Sequence, residues 1–204
     1  MNILWGSLAA AAAILDWLAL YFHWNKVNRV TKPAVIVFLL LLGWQLSAWQ
    51  GPLIWFGLAL LASLVGDVFL LLPARYFIAG LAAFLAAHLF FLVGFNQDAS
   101  PLTGTSFIIA ASVGIAAGMA MRNLLAALPR GSRERERRGV IVYLGVLTLM
   151  WLSATLTLTN PNWQGGPAYL AAAGAVLFTL SDLLLAYNRY VKKYARGQLV
   201  VRIL

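Results

Sequence analysis

Seven stretches of about 20 apolar residues, separated by short polar breaks, decide what this chain can fold into. They run approximately Ile3–Phe22, Pro33–Trp49, Leu53–Leu72, Tyr76–Phe95, Thr103–Met121, Gly139–Leu158 and Pro167–Tyr187. At about 1.5 Å of rise per residue, each is long enough as a helix to cross about 30 Å of hydrocarbon. The breaks are written in turn residues: Gln50-Gly51-Pro52, Pro73-Ala74-Arg75, Asn96 through Pro101, and Asn160-Pro161-Asn162. With 62% hydrophobic and only 10% charged residues, no water-facing surface can be assembled, so the solvent is lipid. The expected fold is all-α, a polytopic membrane bundle of about seven helices. Residues 1–190 are expected to form one transmembrane helical domain, and 191–204 a basic cytoplasmic tail or the remnant of a final helix. The opening segment MNILWGSLAAAAAILDW lacks a basic leader and runs too long for a secretory signal, so it is expected to be retained as helix 1.

Sorting the fifteen Lys and Arg residues by break gives the orientation. Lys26, Arg29 and Lys32 follow helix 1 and Arg75 follows helix 3. Arg122, Arg130, Arg133, Arg135, Arg137 and Arg138 follow helix 5, and Arg189, Lys192, Lys193, Arg196 and Arg202 follow helix 7. The breaks after helices 2, 4 and 6 hold none. By the positive-inside rule the N-terminus is outside and the C-terminus cytoplasmic, as in a bacterial inner membrane. The net charge of +9 is then topogenic, and no nucleic-acid partner is expected. The run from Gly131 to Arg138 reads as a solvated loop, with contact to lipid headgroups as the alternative. Gly114 and Gly118 in helix 5 form a GxxxG, read as an intramolecular close-packing point in preference to a dimer face. The sequence leaves the oligomeric state open.

Six acidic residues are present, of which Asp16, Asp67 and Asp182 lie inside apolar windows. An aspartate at mid-helix costs about 2.5–3.5 kcal/mol on insertion scales, so each is a functional candidate. Each is expected roughly 8–9 Å from the cytoplasmic end of its helix, which would put three carboxyls in one layer. Helical spacing sets Ser63 on the face of Asp67 and places Arg189 at the cytoplasmic mouth below Asp182. Tyr143 is expected four residues inside helix 6, and His88 near the midplane in helix 4. Against these stand plainer roles. A carboxyl can be a neutral helix-to-helix hydrogen bonder, His88 and Tyr143 can be satisfied interior side chains, and Lys32 and Arg189 can be topogenic charges.

The segments Ser63-Leu64-Val65-Gly66-Asp67-Val68-Phe69-Leu70-Leu71 and Leu180-Ser181-Asp182-Leu183-Leu184-Leu185-Ala186-Tyr187-Asn188-Arg189-Tyr190 resemble the two signature stretches of the YhhN-like lysoplasmalogenase family. Lys32-Pro33 opening helix 2, Phe77 through His88 in helix 4, and Val142-Tyr143 opening helix 6 fit the same pattern in the same order. The resemblance covers about Thr31 to Tyr190. Members usually have eight helices, the last rich in Tyr and Gln, whereas this chain ends at Leu204 after YVKKYARGQLVVRIL. What the resemblance implies is hydrolysis of the vinyl-ether bond of lysoplasmalogens to a fatty aldehyde and glycerophosphocholine or glycerophosphoethanolamine. It carries Asp67 and Asp182 over as catalytic.

Vinyl-ether cleavage puts a proton on the distal alkene carbon and creates an oxocarbenium ion, which water converts to a hemiacetal that collapses to products. One carboxylic acid and one carboxylate suffice, as in glycosidases. No cofactor is expected, and with His23 and His88 alone a His-based metal site is not expected either. Lys32, Asn188 and Arg189 are expected to meet the substrate phosphate, with Tyr143, His88 and Asp16 further lining the site. The expected partners are a lysophospholipid substrate and membrane lipids. A proton-coupled transporter or a lipid-binding protein would also use buried carboxyls and is the alternative. An intramembrane aspartyl protease is disfavoured by Leu64-Val65-Gly66 before Asp67, and a retinal protein by the lack of a lysine in helix 7.

Overall fold

In a computed structural model the described residues are 3–98, 101–128, 134–163 and 165–191. They form α1 (Ile3–Tyr21), α2 (Asn25–Ser47), α3 (Leu53–Leu71), α4 (Phe77–Phe95), α5 (Gly104–Ala127), α6 (Glu134–Leu156) and α7 (Gly166–Tyr190). Short 3-10 turns at Ala74–Tyr76 and Thr157–Thr159 join them, and no strand occurs among the described residues. All seven helices are long and apolar enough to span a membrane. The chain divides into two compact units, Met1–Gly94 and Phe95–Leu204.

Packing runs opposite to that of a soluble protein, because lipid is as apolar as leucine and only close fit or polar contact draws helices together. Small residues face inward: Ala9, Ala12 and Ala19 on α1, and Gly57, Ala59, Ser63 and Gly66 on α3. On α7 the buried stripe is Ala168, Ala172, Ala175, Thr179 and Asp182, at steps of four and three residues. Large apolar side chains face outward, with Met119 at 72% and Leu170 at 75% exposure.

Two glycine contacts set the geometry of the first unit. The Trp49 ring lies where a Cβ on Gly43 or Gly57 would sit, and its Nε1 donates to the Leu40 carbonyl at 3.2 Å. This clamps α2 to α3 around a turn in which Ala48, Trp49 and Gly51 all have positive φ. Further along α3, a Cβ on Gly66 would approach the Phe84 ring of α4 to 2.7 Å. Glycine at 66 is therefore what lets α4 seat beside Asp67.

Four expectations change. The second helix begins at Asn25, two turns before Pro33, which lies inside it. Hydropathy reads Asn25 through Arg29 as a break, but the backbone stays helical because Asn28 and Thr31 turn inward to a partner on α1. Within the second unit the GxxxG of α5 is not a close-packing point, since a Cβ added at Gly114 or Gly118 meets nothing within 4 Å. The carboxyls do not share one distance from their helix ends. Asp67 is about 6 Å from the end of α3 and Asp182 about 12 Å from that of α7, because α7 runs one turn past Tyr187. The polar loop after α5 is also shorter than expected, as Arg135, Arg137 and Arg138 are within α6. Arg130, Arg133 and the tail from residue 192 lie outside the described residues.

Candidate functional site

The first unit holds two carboxyls. Asp16 continues the alanine face of α1, so it points where α2 packs. Its Oδ1 accepts from Asn28 Nδ2 at 3.0 Å and from Thr31 Oγ1 at 2.8 Å, both on α2. Hydrogen bonds to a carboxylate are short and strong, and here they fix the register of α1 against α2. Asn28 and Thr31 were not anticipated as partners. The available signal was their i, i+3 spacing on one helical face, hidden because that stretch reads as a loop.

Lys32 follows Thr31 and reaches the other way, toward α3. Its Nζ lies 2.5 Å from Asp67 Oδ1, with the two side chains 16% and 14% exposed. The extra turns at the start of α2 make this possible, because they set Lys32 about 10 Å inside the helix. A lysine expected to meet substrate phosphate thus stands against a signature aspartate. His88 is fully buried midway along α4.

The second unit holds Asp182. Both α6 and α7 bury one stripe, Val140, Tyr143, Leu144, Leu147, Met150 and Ala154 on α6 and the alanine series on α7. Where the stripes meet, the Tyr143 hydroxyl donates to Asp182 Oδ2, with both residues buried. Asn188 is half-buried in the last turn of α7, and Arg189 is exposed there with its guanidinium 5.8 Å from the Tyr190 ring centre.

Each signature carboxyl is accompanied by a hydroxyl on its own helix, Ser63 four residues before Asp67 and Thr179 three before Asp182. Both hydroxyls are buried, and neither Oγ has a hydrogen-bond partner among the described residues. Thr179 was not singled out from the sequence, because in an apolar helix a lone threonine looks like packing.

The YhhN family profile matches residues 27–204. The chain belongs to the YhhN family. It is 29% identical over 194 residues to the membrane protein YhhN of Escherichia coli, an alignment covering 94% of this chain and 88% of that one. It is 33% identical over 152 residues to lysoplasmalogenase TMEM86B of Sus scrofa, covering 70% and 54%. It is 31% identical over 142 residues to a lysoplasmalogenase of Mycobacterium bovis, covering 67% and 50%. The chain therefore spans about half the length of the lysoplasmalogenases it matches, and no solved structure matches it. This YhhN-family chain is a multi-pass membrane protein. In it the two signature aspartates are each engaged by a polar residue from the preceding helix of the same unit: Lys32 on Asp67, and Tyr143 on Asp182.

Proposed function

We propose that this protein is a membrane-embedded hydrolase that cleaves the vinyl-ether bond of lysoplasmalogens, with Asp67 and Asp182 as its catalytic carboxyls. The observation that carries the proposal is the contrast between the partners of the two acids. Asp67 faces an ammonium at 2.5 Å, whereas Asp182 is bonded to a phenol. A negative charge persists in a water-poor interior where it is paired, so Asp67 is suited to remain a carboxylate. Asp182, bonded to a neutral hydroxyl, is assigned the role of delivering the proton. Kinship with proteins named lysoplasmalogenase supplies the substrate class.

Asp182 gives its proton to the distal alkene carbon, and the π pair forms the new C–H bond while positive charge spreads over the ether carbon and oxygen. In glycosidases a carboxylate lowers the energy of such an ion electrostatically, and that is the role proposed for Asp67. The Tyr143 hydroxyl holds Asp182 in its deprotonated form after the transfer. Water then adds its oxygen to the cationic carbon and returns a proton to Asp182, and the hemiacetal splits into aldehyde and alcohol. Asn188 and Arg189, in the last turn of α7 on the basic side, are suited to the substrate phosphate. The basic ends support a cytoplasmic location for that side, in keeping with a bacterial inner membrane.

The test is aldehyde release from a lysoplasmalogen by purified protein in micelles, compared with Asp67→Asn and Asp182→Asn. Loss of aldehyde in both variants supports the assignment. Wild-type rates in both remove the carboxyls from the reaction, and no aldehyde from the unaltered protein refutes the substrate class.

A further inference from the structure

Serines and threonines inside apolar helices normally turn the hydroxyl back onto the carbonyl four residues earlier, which spares them an unmade hydrogen bond. This chain follows that habit. Ser47 donates to the Gly43 carbonyl at 2.9 Å, Thr148 to Leu144 at 2.8 Å and Thr155 to Trp151 at 2.9 Å. Thr179 does not, although it is only 2% exposed and its Oγ1 has no partner among the described residues. Packing does not require a hydroxyl there, because the same stripe of α7 uses alanine at 168, 172 and 175. A hydroxyl so placed destabilises the helix pair unless a group outside the chain completes it.

One turn along the same face is Asp182, whose Oδ2 is taken by Tyr143. Residues three apart on a helix bring their Cβ atoms to about 5–6 Å, close enough for one water to touch both side chains. We propose that Thr179 is a positioning residue that binds the hydrolytic water against Asp182. This rests on the vinyl-ether reaction proposed above. The water oxygen bonds to the oxocarbenium carbon, one of its protons passes to Asp182, and the other stays on the hemiacetal hydroxyl. Threonine Oγ1 holds the water without exchanging a proton with it, so the threonine is unchanged through the cycle.

Thr179→Val keeps the shape and removes the hydroxyl, and Thr179→Ser keeps the hydroxyl. With a lysoplasmalogen as substrate, Thr179→Val is expected to lower kcat tenfold or more while KM stays within twofold, and Thr179→Ser to recover most of the rate. Valine is expected to melt no lower than the wild type, since it removes an unmade hydrogen bond. Added methanol is a second readout, because its capture of the oxocarbenium carbon gives a stable mixed acetal in place of aldehyde. The acetal-to-aldehyde ratio is expected to rise several-fold in Thr179→Val, where water has lost its holder. A wild-type kcat in the valine variant, a serine variant as slow as valine, or an unchanged acetal ratio overturns the proposal. A silent wild type overturns the vinyl-ether reaction and the role of Thr179 with it.

Discussion

Replacing Lys32 with methionine keeps an unbranched chain of similar length but removes the ammonium that Asp67 faces at 2.5 Å. The two side chains are 16% and 14% exposed, so water replaces little of what is lost. Breaking a mostly buried ion pair from one side typically costs about 3–5 kcal/mol, because the remaining charge keeps its desolvation cost. For a chain of this size that corresponds to a melting temperature lower by about 6–20 °C. The double variant Lys32→Met/Asp67→Asn removes both charges and is expected to regain more than half of the loss, the non-additivity of a true pair. It is not expected to regain aldehyde release, because the carboxylate assigned to the cation is gone. Melting in detergent and aldehyde release, measured on one preparation of each variant, separate the two effects. The ion-pair account is wrong if Lys32→Met melts within about 2 °C of wild type, or if the double variant melts below it.

Two further outcomes follow from contacts within the units. Tyr143→Phe removes the donor to Asp182 and leaves the ring in the α6 stripe. A hydrogen bond to a charged acceptor contributes about 1.5–3 kcal/mol, so aldehyde release should fall about 10–100-fold, and an unchanged rate in a kinetic assay would remove the phenol from the mechanism. Gly66→Val drives a side chain into the Phe84 ring and should cost about 1–3 kcal/mol with loss of activity, whereas Gly114→Val, in open space, should melt like the wild type. Equal melting temperatures for the two valine variants would contradict the packing described for α3 and α4.

The spans were legible because twenty apolar residues in a row have one physical use, and six of the seven begin within five residues of where hydropathy puts them. The seventh, α2, starts eight residues early, and the reason is local. Asn28 and Thr31 lower the hydropathy of the stretch but serve as helix-to-helix donors to Asp16, a use that a hydropathy window cannot distinguish from a loop. Which face of each helix turns inward was not legible either. In a soluble helix polarity marks the outer face, but here both faces are apolar and the contrast lies in size. The α7 series Ala168, Ala172, Ala175, Thr179, Asp182 is visible once size is followed, and it leads directly to the carboxyl. The same rule misleads at Gly114 and Gly118, where small residues in register meet nothing. Small size permits a close approach without requiring one. Asp67, Asp182, Lys32 and Tyr143 could be picked out from the sequence, but which pairs with which could not, because Lys32 and Tyr143 are distant in the chain from the aspartates and each has an innocent use at a membrane boundary.

Each buried carboxyl engages a polar partner inside its own unit, Asp16 and Asp67 through α2 and Asp182 through α6. This follows from the solvent. In water an unpaired aspartate waits at little cost, but in hydrocarbon it costs enough to bar insertion unless a neighbouring helix engages it. The partners also differ in kind, and the difference sorts the three acids. Asp16 accepts from two neutral donors on α2, which ties one helix to the next. Asp67 is met by a cation, which balances a permanent charge. Asp182 accepts from a phenol and lies one turn from a hydroxyl that makes no bond to its own backbone, the combination on which the proposed proton transfer rests. Exchanging the partners should therefore exchange the consequences. An Asn28→Ala change should lower the melting temperature and spare the turnover number of the surviving protein, whereas Tyr143→Phe should do the reverse.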